Sequence, residues 1–272
     1  MASRRPIRTF LVAPTNDMTA PSITLAVPSF NQGKFLDAAL TSIFAQQLPV
    51  EVYVADGGST DNSIDVIRKW ESRLSGWRSH ADSGQAAAIN ESIAKGSAPY
   101  VGWLNSDDLL LPGGLAALVS ALEREQSAAA AYGRAWNLDE KSGRRTSIWV
   151  IPFNERLFAN ACSICQPASL IRRSAWEKVG GLDESLHMAM DYDLWWRLYR
   201  QAGPLTFVDQ YAAVNREHPQ TKTGTQRRLH YQEAMAVVRK HHGRVPLKWW
   251  VAQPYAVWWR SWVARRSNLA GS

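Results

Sequence analysis

Two adjacent acidic residues, Asp107 and Asp108, follow the apolar run Tyr100–Leu104 and the polar pair Asn105 and Ser106. Neighbouring carboxylates at the end of a buried strand repel each other and lose hydration, so they are costly unless a cation compensates them. Carboxylate oxygens suit Mg²⁺ or Mn²⁺, whose coordination is commonly completed by substrate phosphates. The alternative is structural, with Asp108 capping the next helix and Asp107 solvated. The pair predicts metal-assisted chemistry on a phosphorylated substrate, with the helix cap as the competing interpretation.

Two earlier apolar runs also end in polar residues. Ile23–Val27 is followed by Pro28–Asn31, and Val50–Val54 leads into the glycine-containing run Asp56–Asp61. One of the last two residues of that run can cap a following helix. A cap leaves Asp56 unexplained, because it lies at the strand tip ahead of two glycines. A carboxylate there can accept hydrogen bonds from a nucleobase or a ribose.

The elements that must position these residues alternate between strand and helix patterns from residue 23 to about residue 125. This alternation predicts βαβ units and an α/β fold with a mostly parallel central sheet flanked by helices. Ligands bind beyond the carboxyl ends of the strands in such sheets. Residues 126–215 are less regular and predict mixed strands and loops with a helix near Asp191–Arg200, followed by a helix over 226–243. In the first half, the predicted helices cover Phe35–Phe44, Ile64–Leu74, Gln85–Lys95 and a segment after Pro112, and an extended piece covers Trp77–His80.

Composition places the chain among ordinary globular proteins. It has 272 residues, of which 46% are hydrophobic and 20% charged, and this excludes a disordered chain. A net charge of +7 favours anionic partners such as nucleic acid, acidic lipid or phosphorylated ligands. We expect a flexible extension over residues 1–21, a catalytic domain over 22–225 and a helical, Trp-rich basic segment over 226–272.

The cysteine count and the lack of long apolar stretches predict a cytoplasmic protein. Cys162 and Cys165 allow at most one bridge, which favours a reducing compartment. They have no second cysteine pair, so two buried thiols are expected rather than zinc ligands. The run Phe10–Ala13 is too short for a signal peptide, and no stretch of about twenty apolar residues predicts a spanning helix.

Tryptophans and cations alternate near the C-terminus, in Lys248–Trp250, Trp258–Arg260 and Trp262. Such a segment is typical of a peripheral anchor at the inner face of an anionic membrane. The competing interpretation is a Trp-rich helix packed on the domain.

The order and spacing of these motifs resemble the signatures of family 2 glycosyltransferases, which have the GT-A fold. The resemblance covers residues 22–223. It is carried by Ile23–Asn31, Asp56–Asp61, Asp82–Gln85 with Ala88–Asn90, Trp103–Asp108, Gln166–Ala168, Gly180–Glu184 and Asp191–Asp193.

The resemblance implies a role for each matching position. Asp56 would contact the nucleoside, and Asp82 would lie near the base or ribose. Asp107 would take the metal-binding place of the Asp-x-Asp motif, whose first position is Asn105 here and therefore supplies one charge fewer. Asp191 would be the catalytic base. The expected donor-binding residues are Pro28, Ser29, Asn31, Asp56, Asp82, Gln85, Asn90, Asn105 and Ser106, and the expected ligands of Mn²⁺ or Mg²⁺ are Asp107, Asp108 and His218.

The physics of an inverting transfer agrees with these roles. A carboxylate or a histidine must accept the proton of the acceptor hydroxyl, and a cation must neutralise the departing diphosphate. Asp191 and Asp193 lie two apart and face different ways on a helix, so one can enter the site while the other caps or pairs. Helix capping is the alternative for Asp191. His218 lies in a polar loop that could close over a diphosphate or be exposed.

The sequence therefore predicts an inverting glycosyltransferase that uses a UDP- or GDP-sugar. Its acceptor would be a hydroxyl of a glycan or lipid-linked molecule in cell-surface polysaccharide or glycolipid assembly. The alternative is a non-catalytic basic module that binds nucleotides or membrane. Nucleic acid is not expected, because acidic strand ends repel a phosphate backbone and no aromatic-plus-basic platform is present.

Overall fold

A computed structural model describes residues 22–253 of the chain. Strands and helices alternate through its first half, as the apolar spacing predicts. In chain order they are β1 (Ile23–Ser29), α1 (Gly33–Phe44), β2 (Val50–Asp56), α2 (Ser63–Trp70), β3 (Gly76–Ser79), α3 (Gln85–Lys95) and β4 (Tyr100–Trp103). Strand β1 pairs in parallel with β2 and β4, and β2 pairs in parallel with β3. The carboxyl ends of all four strands therefore lie at one edge of the sheet.

The second half adds antiparallel strands, so the sheet as a whole is mixed. Strand β8 runs antiparallel to both β4 and β6, while β6 and β9 are parallel. Over residues 22–253 the order is β3-β2-β1-β4-β8-β6-β9-β5, with β7 paired to β6. These elements are β5 (Leu109–Leu110), α4 (Gly114–Arg124), β6 (Ala130–Asp139), β7 (Arg145–Ser147), α5 (Glu155–Phe158), β8 (Ser169–Arg172), α6 (Arg173–Val179), α7 (Met190–Arg197) and β9 (Leu205–Glu217).

Tryptophan side chains pack helix α7 against the sheet. Trp195 is stacked on Trp103 of β4, with ring centroids 6.3 Å apart and planes at 10°. Trp196 is fully buried one residue further along α7. Burial of rings this large is a major source of stability. Helix α7 and the carboxyl end of β4 therefore share one aromatic core.

Three helices follow the sheet: α8 (Lys222–Thr225), α9 (Arg227–His242) and α10 (Leu247–Gln253). Trp249 of α10 is buried, and its Nε1 donates to the carbonyl of Ala159 at 2.8 Å. Trp250, by contrast, is half exposed. The interpretation of a helix packed on the domain therefore holds for Trp249, which belongs to the core. Trp250 is exposed and remains available for the alternative, a membrane contact. The predicted extension over 1–21 and the tryptophans after residue 253 lie outside the described residues.

No helix within residues 22–253 is long and apolar enough to span a lipid bilayer.

Candidate active site

The carboxylate at the end of β2 stabilises the loop that follows this strand. Asp56 is fully buried, and its Oδ2 accepts the N–H groups of Gly58 at 3.0 Å and Ser59 at 2.9 Å. The hydroxyls of Ser79 (2.7 Å) and Ser59 (2.5 Å) donate to the same carboxylate. Contact of Asp56 with a nucleoside stays a prediction, whereas its role in shaping the strand tip is visible in these four hydrogen bonds.

Asp61 links the first two helices of the sheet. Its carboxylate accepts the N–H of Gly33 at 2.9 Å and the N–H of Ser63 at 3.0 Å, so it caps the starts of α1 and α2 together. The N-cap residue of α2 is Asn62, so the prediction that Thr60 or Asp61 occupies that position is wrong by one residue or more, although Asp61 does accept the first helical N–H.

The tip of β1 presents an exposed ring beside a buried hydroxyl. Asn31 has a left-handed backbone (φ 52°), and its Oδ1 accepts the N–H of Thr60 at 2.8 Å. Ser29 is buried, and its Oγ has no hydrogen-bond partner among the described residues. Between them, Phe30 is 61% exposed. Phe30 is not among the predicted site residues, although an aromatic residue between two polar ones at a strand end could have indicated it. Pro28 remains inside β1, paired with Ala55.

Two residues that were expected to contact the donor, Asp82 and Asn90, form hydrogen bonds within the protein. Asp82 forms an ion pair with Arg78 at 3.0 Å and accepts the N–H of Gly84 at 2.9 Å. Asn90 donates to the carbonyl of Leu182 at 3.0 Å and accepts the N–H of Leu182 at 2.9 Å. The structure therefore gives Asn90 a different role from the expected donor contact: its amide ties α3 to the turn after α6.

A chain of side-chain hydrogen bonds crosses the strand ends. Lys222 Nζ donates to Gln85 Oε1 at 3.2 Å, and Gln85 Nε2 donates to Asn105 Oδ1 at 2.7 Å. Asn105 Nδ2 then donates to Asp108 Oδ2 at 3.2 Å. Burial lowers the pKa of Lys222, which no carboxylate in residues 22–253 pairs directly. This chain connects two expected donor residues with the acidic pair, and it adds a lysine from α8.

Of the three expected metal ligands, Asp107 and His218 touch. His218 Nε2 lies 3.1 Å from Asp107 Oδ2, and its ring is buried against Phe35 with centroids 4.5 Å apart. The loop carrying His218 is therefore not the exposed basic loop of the competing interpretation. A carboxylate and an imidazole in contact can bind a divalent cation whose other ligands come from substrate phosphates. The described residues contain no group of three or more acidic, histidine or cysteine side chains suited to a metal.

The expectation that Asp108 joins this pair is not met in the structure. Asp108 is buried, and its Oδ1 accepts the backbone N–H of Arg216 at 3.0 Å. Burial, together with the charge of Asp107, raises the pKa of Asp108 to about 8. Asp108 therefore joins the turn after β4 to β9. Ser106 is buried within the same turn.

Asp191 is the carboxylate of α7 that stays without a cation. Its oxygen accepts the N–H of Tyr192 at 2.7 Å, and it forms no ion pair within residues 22–253. Burial raises its pKa, against the opposing effects of that N–H and of nearby His230. A partly exposed carboxylate with a raised pKa is suited to accept a proton.

Asp193 takes the opposite role in the same helix. It is fully buried, and its carboxylate oxygens form hydrogen bonds with the side chains of Arg197 at 2.6 Å, His241 at 2.8 Å and Lys240 at 3.0 Å. Burial alone would raise its pKa, but these hydrogen bonds and the charge of Arg197 hold it well below the usual range. The prediction that one carboxylate of α7 pairs within the protein is confirmed.

Cys165 lies near one carboxylate of each acidic region, Asp108 and Asp191. Burial raises the pKa of its thiol, and the charges of Asp108 and Asp191 both add to the effect. Cys162 and Cys165 are both free thiols; Cys165 is buried as predicted, whereas Cys162 is only half-buried. Next to them, Gln166 Nε2 donates to the carbonyl of Trp103 at 2.7 Å. The carboxyl end of β4 and the start of α7 therefore face one shared region.

Helix α9 supplies two neighbours of Asp191 that sequence reasoning missed. His230 is close enough for the two charges to shift each other's pKa, and its Nδ1 is buried without a hydrogen-bond partner in the described chain. Glu233 accepts backbone N–H groups at the start of α7. Both residues lie beyond the motifs that carry the resemblance, so the sequence held no signal for them.

Solved structures with this arrangement of sheet and helices are GT-A glycosyltransferases. Staphylococcus aureus TarS in complex with UDP-GlcNAc superposes with a TM-score of 0.66 at 17% identity, covering 81% of this chain and 66% of that one. A mannosyltransferase from Pyrobaculum calidifontis in complex with GDP-Man and Mn²⁺ superposes at 0.64 with 19% identity, covering 97% of this chain and 80% of that one. At these identities the likeness establishes the fold, which is GT-A.

The sequence match establishes the family. Residues 24–180 match the family described as glycosyl transferase family 2, and the chain belongs to that family. Chondroitin synthase of Escherichia coli is 24% identical over 193 residues, which are 70% of this chain and 28% of that protein. An uncharacterized glycosyltransferase of Mycobacterium tuberculosis is 29% identical over 192 residues, 69% of this chain and 72% of that protein. The chain thus spans under a third of the length of the synthase and a larger share of the second relative.

Proposed function

We propose that this protein is an inverting glycosyltransferase that moves a sugar from a UDP- or GDP-sugar to an acceptor hydroxyl. The acceptor class we propose is a glycan or a lipid-linked molecule, in cell-surface polysaccharide or glycolipid assembly. The observation that carries the proposal is the Asp107–His218 pair just after β4, together with Asp191 on α7, the helix whose Trp195 stacks on Trp103 of β4. Asp191 forms no ion pair within residues 22–253. Similarity to a chondroitin synthase supports the acceptor class, and the nucleotide sugars named with the two solved structures support the donor class.

Asp107 and His218 are the residues that would hold Mn²⁺ or Mg²⁺. When bound, the cation neutralises charge on the departing diphosphate. Lys222, partly buried at the end of the hydrogen-bond chain, adds a protein cation on the same side. The exposed ring of Phe30 offers a face to a nucleobase at the tip of β1. Together these residues orient the donor so that its anomeric carbon is open to attack.

Asp191 accepts the proton of the acceptor hydroxyl as that oxygen attacks. The new glycosidic bond forms as the bond to the diphosphate breaks, so a single displacement inverts the anomeric centre. Because burial raises the pKa of Asp191, the rate should fall as the pH drops through that raised value, where the carboxylate becomes protonated and cannot act as a base.

A panel of nucleotide sugars tests the proposal. UDP-GlcNAc, other UDP-sugars and GDP-mannose are added with Mn²⁺, with Mg²⁺ or with a chelator, and melting temperature and release of nucleoside diphosphate are measured. We expect one donor to stabilise the protein in the presence of metal and to be turned over. Metal-dependent binding without any turnover would favour the alternative, a non-catalytic nucleotide-binding module. The absence of binding to every donor would contradict both.

A peripheral membrane contact is a second part of the proposal, resting on α10. Its outer face exposes Leu247, Trp250 and Val251 beside Lys248, whereas Trp249 is packed inward. Apolar side chains beside a cation are suited to the interface of an anionic bilayer. We expect the protein to sediment with anionic vesicles, less so at high salt, and Trp250→Ser to weaken this binding at unchanged melting temperature. Equal sedimentation with neutral vesicles, or none at all, would contradict the proposal.

Cytoplasmic location and the division into 1–21, 22–225 and 226–272 remain part of the proposed organisation. The boundary at residue 225 follows the end of the family motifs. Helix α9, which lies beyond that boundary, nevertheless contacts α7 through Asp193 and Glu233.

A further inference from the structure

The segment that leads into the helix of Asp191 is held by a side chain from another helix. The N-cap residue of α7, Ala189, provides no side-chain hydrogen bond, and the first N–H groups of a helix need acceptors. Glu233 of α9 supplies an acceptor to this N-cap residue and to the two residues before it. Its carboxylate accepts the N–H of His187 at 3.1 Å, of Met188 at 2.7 Å and of Ala189 at 2.9 Å. An anion at a helix N-terminus is stabilising, and hydrogen bonds to a charged acceptor are the strong ones.

The segment held by Glu233 also touches the donor side of the site. A Cβ placed on Gly84 would meet His187 Nδ1 at 3.9 Å, so His187 lies directly beside Gly84. Gly84 precedes Gln85, the middle member of the hydrogen-bond chain. The three residues that Glu233 fixes therefore run between the donor segment and the first turn of α7.

No ion pair within residues 22–253 fixes the side chain of Asp191. The charged and titratable groups near it are Glu233 and His230 from α9, Cys162 and Cys165 from the segment before β8, and its neighbour Tyr192. None of them donates to the Asp191 carboxylate except the N–H of Tyr192, which belongs to α7 itself. The position of this carboxylate is therefore set by the backbone at the start of α7.

We propose that Glu233 is the positioning residue for Asp191: by holding the N–H groups of residues 187–189 it fixes the first turn of α7 relative to the donor segment. This inference rests on the proposed function, in which Asp191 is the base. Glu233 itself touches neither donor nor acceptor. Misplacement of a reacting group by about 1 Å can cost about 10²-fold in rate, so the expected effect is kinetic.

The test compares Glu233→Gln with Lys240→Gln, using release of nucleoside diphosphate from the donor that the wild type turns over best. Each variant removes one charge of α9, but Glu233 binds the N–H groups of residues 187–189, whereas Lys240 contacts Asp193 in the first turn of α7. We expect Glu233→Gln to lower kcat by about 10- to 100-fold with the donor KM unchanged. It should also speed amide hydrogen exchange at residues 187–189. Lys240→Gln should keep kcat near the wild-type value.

Glu233→Asp serves as the conservative variant, because its shorter carboxylate reaches fewer of the three N–H groups. We expect an intermediate kcat, and this variant carries the test if Glu233→Gln does not fold. Equal kcat values for the Glu233 variants and Lys240→Gln would overturn the inference, as would a loss that only follows melting temperature or donor KM. A wild type that turns over no nucleotide sugar would overturn the proposed function and this inference with it. An active wild type with an equally active Glu233→Gln would overturn this inference alone.

Discussion

The end of β4 and the start of α7 each carry two close carboxylates, and the two regions treat them in opposite ways. At β4, the structural carboxylate is Asp108, whose pKa is raised to about 8 by burial and by Asp107. At α7, the structural carboxylate is Asp193, whose pKa is held low despite its burial by hydrogen bonds from His241, Arg197 and Lys240. In each region the other carboxylate stays available: Asp107 beside His218, and Asp191 with no ion pair inside residues 22–253.

The two acidic pairs are therefore stabilised in different ways. A buried carboxylate can be tolerated by remaining protonated or by gathering cations, and the choice depends on which neighbours the fold brings to it. In both regions the structural member fixes the backbone that carries the available one. Substitutions of the four residues should therefore separate into effects on chemistry and effects on stability.

The largest expected effect is that of Asp191→Asn on transfer. Loss of the proton acceptor should lower kcat by about 10²- to 10⁴-fold, because general base catalysis contributes that much. Donor affinity should be kept, since the amide has nearly the same shape. Steady-state kinetics with the best donor checks this. A more damaging effect of Asp193→Asn on kcat, measured on folded protein, would mean that the base is the other carboxylate.

Asp107→Asn should come next, with kcat/KM falling by about 10²- to 10³-fold when the metal is saturating, as for other lost transition-state charge contacts. The amide is a weaker ligand for a divalent cation than the carboxylate. Kinetics over a range of Mn²⁺ concentrations should show a higher metal requirement. Activity that stays independent of metal in both proteins would remove Asp107 from the metal site.

Asp193→Asn should mainly destabilise the protein. Its removal leaves Arg197, Lys240 and His241 without their shared anion, and breaking a buried pair costs about 3–5 kcal/mol of unfolding free energy. Urea denaturation at neutral pH measures the loss. Because the folded pKa of Asp193 is lowered, its contribution is present above the unfolded value near 3.8 and is lost as the pH falls below it. Wild-type and variant stabilities should therefore converge in acid, and parallel curves would contradict the ion-pair account.

The smallest expected effect on transfer is that of Asp108→Asn, which should act on stability. The folded pKa of Asp108 is raised from 3.8 to about 8, so its stabilising contribution is present below about pH 4 and is lost as the pH rises towards 8. The variant cannot ionise and should gain stability relative to the wild type over that window. Denaturation curves of the metal-free proteins at several pH values test this. Loss of metal-dependent donor binding in Asp108→Asn would show instead that Asp108 is a metal ligand.

Local patterns were enough to predict most of the first half of the fold. Alternating apolar strands and amphipathic helices gave β1 to β4 and their helices, because each element buries one face against the same sheet. The antiparallel strands β5, β7 and β8 are two to four residues long and have no clear period. Their pairing depends on long-range contacts, so the sequence yielded only a mixed, irregular half.

Site residues could be predicted where they lie in a local sequence motif, but not where the fold brings them in from a distant part of the chain. Asp107, Asp191 and His218 were marked by their motifs, and the structure brings Asp107 to His218 across 111 positions of sequence. The motifs did not distinguish Asp108 from Asp107, because the two differ in what the fold places around them: Asp108 is buried and accepts the N–H of Arg216, whereas Asp107 contacts His218. Glu233 lies on a helix with no motif, and only the folded contact with the start of α7 identifies it.

The central claim is that Asp107 serves the donor and Asp191 serves the acceptor. Calorimetric titration of the nucleoside diphosphate released from the best donor, with and without Mn²⁺, tests it most directly in three proteins: wild type, Asp107→Asn and Asp191→Asn. The account predicts metal-dependent binding by the wild type and by Asp191→Asn with similar affinity, and loss of the metal-dependent part in Asp107→Asn. Equal binding by all three proteins, or a loss confined to Asp191→Asn, would contradict it.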